Sequence, residues 1–206
     1  MADLDWTVFH WVNGQAGQHG WLDQLGKAAS NDLQFVVVGT LVAGWLLMAG
    51  LHLRRERTLP RGLLTVALTA GIALAAGLVA NQLIGHVWFR ERPYADHSSA
   101  YLIVGPSSDP SFASDHATAG FALSLGAIRG LPRVAALLFV ESVLMSVGRV
   151  YVGLHYPGDI LGGLGLAAGA ALAASAVTGL ARPAIDRAVA LVNGYAEGRR
   201  WPFRLS

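Results

Sequence analysis

Long apolar stretches alternate along this chain with short polar ones, and several are long enough for a membrane. About 20 consecutive, mostly apolar residues let a helix cross a bilayer. Leu33–Leu51 is the first such stretch, bounded by Asp32 and by Arg54, Arg55 and Arg57. Gly62–Phe89 is the second, with no charged residue between Arg61 and Arg90. The third is weaker: only Ala117–Ile128 is free of charge, which predicts a helix that begins near Ser111 with polar first turns. Val134–Leu154 is the fourth and contains Glu141 and Arg149, and Ile160–Ala181, rich in Gly and Ala, is the fifth. Ahead of them, Leu4–Ala29 mixes Trp6, Phe9, Trp11, Trp21 and Leu25 with polar residues, which predicts a pair of interfacial or half-buried helices. Arg182–Ser206 reads as a short amphipathic helix and a basic tail.

The expected fold is therefore all-α, a polytopic membrane helical bundle. It has five to six transmembrane helices, an N-terminal interfacial helical segment over residues 1–30 and a basic tail over 183–206. One membrane-embedded domain is expected over residues 1–206.

Composition sharpens this picture. Charged residues make up 14% of the chain, against about 25% in soluble domains, too few to cover a water-facing surface. There is no cysteine, so disulfides, thiol catalysis and cysteine-ligated metal sites are excluded. The basic residues sit between apolar blocks rather than along a polar stripe, which argues against nucleic acid as a partner.

Their placement also orients the bundle. Short cytoplasmic loops carry the excess of Lys and Arg. In the five-span arrangement one side holds Arg54, Arg55, Arg57, Arg61, Arg129, Arg133, Arg182, Arg187, Arg199, Arg200 and Arg204. The other side holds only Lys27, Arg90, Arg92 and Arg149. The N-terminal segment, the loop from Arg90 to Ser111 and the turn around His155 are thus expected on the extracytoplasmic face.

Basic residues on that face need a reason, since ionisable groups in or near a membrane mark function by default. Three clusters share one depth: Arg90-Glu-Arg92-Pro93-Tyr94, Pro110-Ser-Phe-Ala-Ser114-Asp115-His116, and Gly148-Arg149 running on to His155 and Asp159. Carboxylates are too few for a hard divalent ion, and two histidines on different spans fall short of a zinc site. Arginine binds phosphate oxygens bidentately, and a helix N-terminus with a serine adds further donors. The set reads as a phosphate cage with two imidazoles. Asp159, four residues after His155, can orient that imidazole, which favours His155 as nucleophile and His116 as acid–base.

At these residues the sequence resembles the type-2 phosphatidic acid phosphatase superfamily, whose motifs are Lys-x6-Arg-Pro, Pro-Ser-Gly-His and Ser-Arg-x5-His-x3-Asp. Arg92-Pro93 matches the end of the first, Ser114 and His116 the second, and Arg149, His155 and Asp159 the third. The resemblance implies a metal-independent phosphatase that works through a phosphohistidine on His155. It also implies Asp159 as partner, His116 as acid–base, phosphate binding by Arg92, Ser114 and Arg149, and no cofactor. Asp115 and Arg90 are further candidates for substrate contact. Three positions depart from the pattern. Gly85 stands where the first-motif lysine belongs, with Arg90 and His86 as nearby cations; Asp115 replaces a glycine; and Gly148 replaces a serine.

The combination is similar to bacterial undecaprenyl-diphosphate phosphatases of the bacitracin-resistance type. That implies hydrolysis of a polyprenyl diphosphate to the monophosphate at the outer face of the cell membrane, recycling the lipid carrier of cell-wall peptidoglycan. Phosphatidic acid, phosphatidylglycerol phosphate and diacylglycerol diphosphate are alternative substrates. A non-catalytic lipid-phosphate carrier is the rival from another class.

Overall fold

The computed structural model describes residues 2–56 and 58–196. Arg57 and the tail arginines Arg199, Arg200 and Arg204 lie outside the described residues. The described chain is all helical: α1 (Ala2–Asn13), α2 (Gly20–Asn31), α3 (Leu33–Glu56), α4 (Arg61–Val87), α5 (Pro93–Asp96), α6 (Asp115–Ala127), α7 (Pro132–Tyr151), α8 (Pro157–Leu180) and α9 (Arg182–Ala196). The N-terminal pair expected from the sequence is α1 and α2. The amphipathic segment after the last span is α9.

Four of the five expected spans, α3, α4, α7 and α8, are long and apolar enough to cross a membrane. The remaining one, α6, has 13 residues and a length of about 20 Å, against the roughly 30 Å of a hydrocarbon core. It starts at Asp115 rather than near Ser111, because the chain bends through residues 111–113 and Ser114, in an extended conformation, caps the helix. A helix this short is tolerated at the centre. α6 packs against α4, α7 and α8, and Ala117, Thr118, Phe121, Ala122 and Ala127 around its circumference are all buried.

Small residues allow this close approach. A Cβ on Gly126 would lie 2.6 Å from the Cα of Ala70 on α4, and one on Gly163 of α8 would lie 3.0 Å from the carbonyl oxygen of Ser114. Gly162 and Gly163 in the Gly-rich run of α8 are thus packing positions against Phe112 and the start of α6, whereas Gly165 and Gly169 have open space beside them. On the outside of the bundle α3 leans on α7 and leaves Phe35, Leu46 and Leu47 exposed, as a lipid-facing helix should.

The two ends of the bundle differ. At one end Arg61 pairs with Asp186 of α9 (3.3 Å), and the α6–α7 turn packs against α4, where a Cβ on Gly130 would meet Val66. At that end α6 finishes opposite Ala70, nine residues into α4, and the turn that follows it covers Val66 and Gly62. At the other end Asp115 meets Asn81, six residues before α4 finishes, so α6 begins about 9 Å below the rim. The segment from Trp88 to Ser114 folds into this recess. Asn13 of α1 ties it down, donating to the carbonyl oxygens of Tyr101 and Tyr151 (both 2.8 Å) and accepting from the amide of Tyr101 (2.8 Å).

Because the Gly126 contact is with backbone, Gly126→Ala should lower stability in detergent by about 1–3 kcal/mol, the usual cost of overpacking. A melting curve of the purified variant checks this; an unchanged midpoint would show that the α4–α6 crossing has slack.

Candidate active site

The recess above α6 gathers residues from five elements, and local backbone chemistry explains how. α7 ends at Tyr151, and Gly153 adopts a left-handed conformation (φ +91°) in which a Cβ would lie 2.3 Å from the Tyr101 carbonyl oxygen. Glycine suits that turn on both counts. The amide of Leu154 donates to the carbonyl of Arg149 (3.1 Å), closing the reversal. His155 is thereby folded back beside Arg149. Pro157 then starts α8, and Asp159 on its first turn accepts from the amide of Tyr156 (2.8 Å).

His155 is 2% exposed. Its Nδ1 lies 2.8 Å from the carbonyl oxygen of Ser111 and 3.7 Å from Oδ2 of Asp159. A carbonyl only accepts, so Nδ1 carries the proton and Nε2 presents its lone pair. The sequence assigned this orienting role to Asp159 alone; the shorter bond goes to main chain, with the carboxylate behind it. Nε2 faces Nη1 of Arg92 (3.4 Å) and Nη2 of Arg149 (3.5 Å). Burial holds the imidazole below its ordinary histidine range; the Asp159 carboxylate opposes this, and the guanidinium charges of Arg149 and Arg92 add to it.

Both arginines are less than a tenth exposed. Arg92 donates from Nε to the Asp109 carbonyl (2.9 Å) and from Nη1 to the Leu154 carbonyl (3.1 Å). Arg149 donates from Nη1 to Ser30 Oγ (3.5 Å), while its buried Nε has no partner among the described residues. A buried donor without a partner is costly, and an anion between the two guanidiniums would satisfy it. Ser114 caps α6 by accepting from the amide of Ala117 (3.5 Å), which leaves its hydroxyl hydrogen unused by that bond. His116, the second residue of α6, lies within electrostatic reach of Arg149, His155 and Arg92. Among the described residues, no three His, Asp or Glu side chains are grouped so as to hold a metal ion.

Two expected substrate contacts are occupied otherwise. Asp115 accepts from Nδ2 of Asn81 (2.5 Å), and Arg90 donates to Asp159 Oδ1 (2.7 Å) and to Asp5 Oδ2 (2.6 Å). Arg90 thus sits behind the Asp159 carboxylate, on the far side from the imidazole. His86, the other nearby cation, is exposed and bonds the Gln82 carbonyl (2.7 Å), so neither replaces the lysine absent at Gly85.

The sequence reading gave no role at the site to Ser111, Asn81, Ser30 or Asp5. Ser111 donates to Asp159 (2.5 Å), and Asn81 also clips both backbone groups of Ala113 (2.9 and 3.1 Å). Only Asn81 left a signal, as one of two adjacent amides, with Gln82, inside an uncharged span. Ser30 explains a departure from the family pattern. A Cβ on Gly148 would lie 2.7 Å from the Ser30 amide, so glycine there admits α2, and α2 brings Ser30 to Arg149.

Residues 64–182, more than half of the chain, match the family described as the PAP2 superfamily. The chain belongs to the PAP2 superfamily. Among its relatives is the undecaprenyl-diphosphatase BcrC of Bacillus subtilis, 28% identical over 186 residues and 90% of each chain. Another is the putative undecaprenyl-diphosphatase YbjG of Escherichia coli, 31% identical over 80% of this chain and 77% of that one. In fold the chain resembles LpxE of Aquifex aeolicus (TM-score 0.61, 19% identity, 83% of this chain and 94% of that one). PAP2 membership and the four apolar helices together make this a multi-pass membrane lipid phosphatase.

Since Asn81 satisfies both Asp115 and the 113 backbone, Asn81→Ala should destabilise the protein by about 1–3 kcal/mol. Asn81→Asp, which sets a second carboxylate against Asp115, should do so more. Thermal unfolding of the two variants side by side tests the order.

Proposed function

We propose that this PAP2 phosphatase removes the terminal phosphate of a polyprenyl diphosphate, undecaprenyl diphosphate above all, through a phosphohistidine on His155. The observation that carries this reading is the His155 Nε2 lone pair, aimed between two buried guanidiniums. Nε2 attacks phosphorus as the bond to the bridging oxygen breaks. His116, protonated, gives its proton to the departing monophosphate. Neutral His116 then takes a proton from water, whose oxygen attacks phosphorus, breaks the P–N bond and releases inorganic phosphate. Arg92, Arg149 and Ser114 hold the transferring oxygens, where charge stabilisation does most of the work. The arginines carry the charge that a metal ion supplies elsewhere, so the reaction proceeds without one.

The lipid class has structural support. A cavity of about 550 Å³, lined by Phe35, Val38, Leu74, Leu78, Leu123 and Met145, has Asp115 and His116 at its margin. An apolar space beside a phosphate cage suits a lipid whose head and tail part there. The names of the two relatives favour a polyprenyl diphosphate. The recess lies at the end opposite Arg61 and Arg129, and by the positive-inside rule this supports a reaction on the extracytoplasmic face.

In detergent, His155→Ala should release no phosphate and form no acid-labile phosphoenzyme, and wild-type turnover should survive chelators. Retained turnover in His155→Ala would overturn the nucleophile. In a substrate panel, polyprenyl diphosphate should exceed phosphatidic acid and phosphatidylglycerol phosphate in kcat/KM; the reverse order would overturn the substrate.

A further inference from the structure

The N-terminal helix reaches into the catalytic layer through one side chain. Asp5 on α1 is 14% exposed and accepts from two groups: Nη2 of Arg90 (2.6 Å) through Oδ2, and the amide of Gly158 (2.7 Å) through Oδ1. Both partners are next to Asp159. Arg90 donates its other Nη to Asp159 Oδ1 (2.7 Å), and Gly158 precedes Asp159 in the chain. Gly158 has no room for a Cβ, which would lie 2.7 Å from Asp5 Oδ2. The guanidinium of Arg90 is further fixed over the ring of Tyr156, 4.1 Å from its centroid.

We propose that Asp5 is a positioning residue of the phosphatase reaction: by sharing Arg90 with Asp159, it fixes that carboxylate behind His155 and preserves its negative charge. The inference rests on His155 acting as the nucleophile. Charge counting gives the reason. Arg90 alone would cancel the charge of Asp159, leaving little for the imidazole 3.7 Å away. With Asp5 on the other side, the cation is divided between two carboxylates and the trio keeps one net negative charge. That charge counterbalances the positive imidazole ring formed when Nε2 bonds to phosphorus.

Anchoring of α1 does not need this carboxylate. Phe9 of α1 is fully buried against Val150 and Tyr156, Trp6 stacks on His97 (3.7 Å between centroids), and Asn13 holds the outer loop. Asp5 is the α1 side chain that leads to Asp159.

Asp5→Asn separates charge from shape, because its amide oxygen can still accept from Gly158. Asp5→Asn, Asp5→Ala, Arg90→Lys and His155→Ala are purified in detergent, and the monodisperse fraction of each is assayed on polyprenyl diphosphate. Asp5→Asn should lower kcat about tenfold with KM within about twofold, and should move the acid limb of the kcat profile to lower pH. Arg90→Lys, which cannot bridge two carboxylates with one fork, should lose kcat similarly and keeps the idea testable if Asp5→Asn fails to fold. Wild-type kcat and pH profile in Asp5→Asn overturn the inference, as does a lowered melting temperature with kcat per folded molecule unchanged. Turnover in His155→Ala overturns instead the nucleophile assignment on which the inference rests.

Discussion

Two guanidinium groups, each less than a tenth exposed, lie at one end of a helix bundle that has very few charges to balance them. Buried charges are strongly unfavourable unless their hydrogens find partners, and much of the upper architecture supplies those partners. The loop before α6 folds inward so that the Asp109 carbonyl meets Arg92; the chain reverses at Gly153 so that the Leu154 carbonyl meets it too. α2 closes on α7 so that Ser30 meets Arg149. What these carbonyls and hydroxyls leave undone is directed at one point, beside His155 Nε2.

The same accounting explains the layer behind the histidine. Asp159 is fully buried and receives hydrogen bonds from Arg90, Ser111 and the Tyr156 amide. A carboxylate with three donors stays ionised without requiring the imidazole to be charged. His155 can therefore remain neutral, its tautomer set by the Ser111 carbonyl, while the negative charge waits within 4 Å for the moment it is needed.

Much of this was legible in the sequence, and what was not has a consistent cause. Hydropathy located α3, α4, α7 and α8 because each carries its own apolar run. It overestimated α6 because a central helix shielded by protein needs neither the length nor the apolar entry of a lipid-facing one. Motif spacing located Arg92, His116, Arg149, His155 and Asp159. Asn81 left only an amide within a span, and the roles of Ser111, Ser30 and Asp5 were invisible, because all four depend on partners 32 to 153 residues away. The motif departures are read differently with the structure in view. Gly148 gives up a hydroxyl of its own and admits α2, which brings one from another helix.

The short length of α6 sets the level at which an amphiphile must stand. Its capped end lies about 9 Å beneath the end of α4, so in the proposed reaction a phosphate would have to pass below the end of that helix to reach it. A lipid anchored in the surrounding leaflet must sink, tilt or let its first tail carbons follow the head between helices. A long, flexible isoprenoid with a single chain can do this at little cost. A glycerolipid with two chains and a headgroup fixed near the interface has to draw both chains along with it. On the proposed function, depth alone, before any contact with the headgroup, would sort lipids by how freely their phosphate can move along the membrane normal.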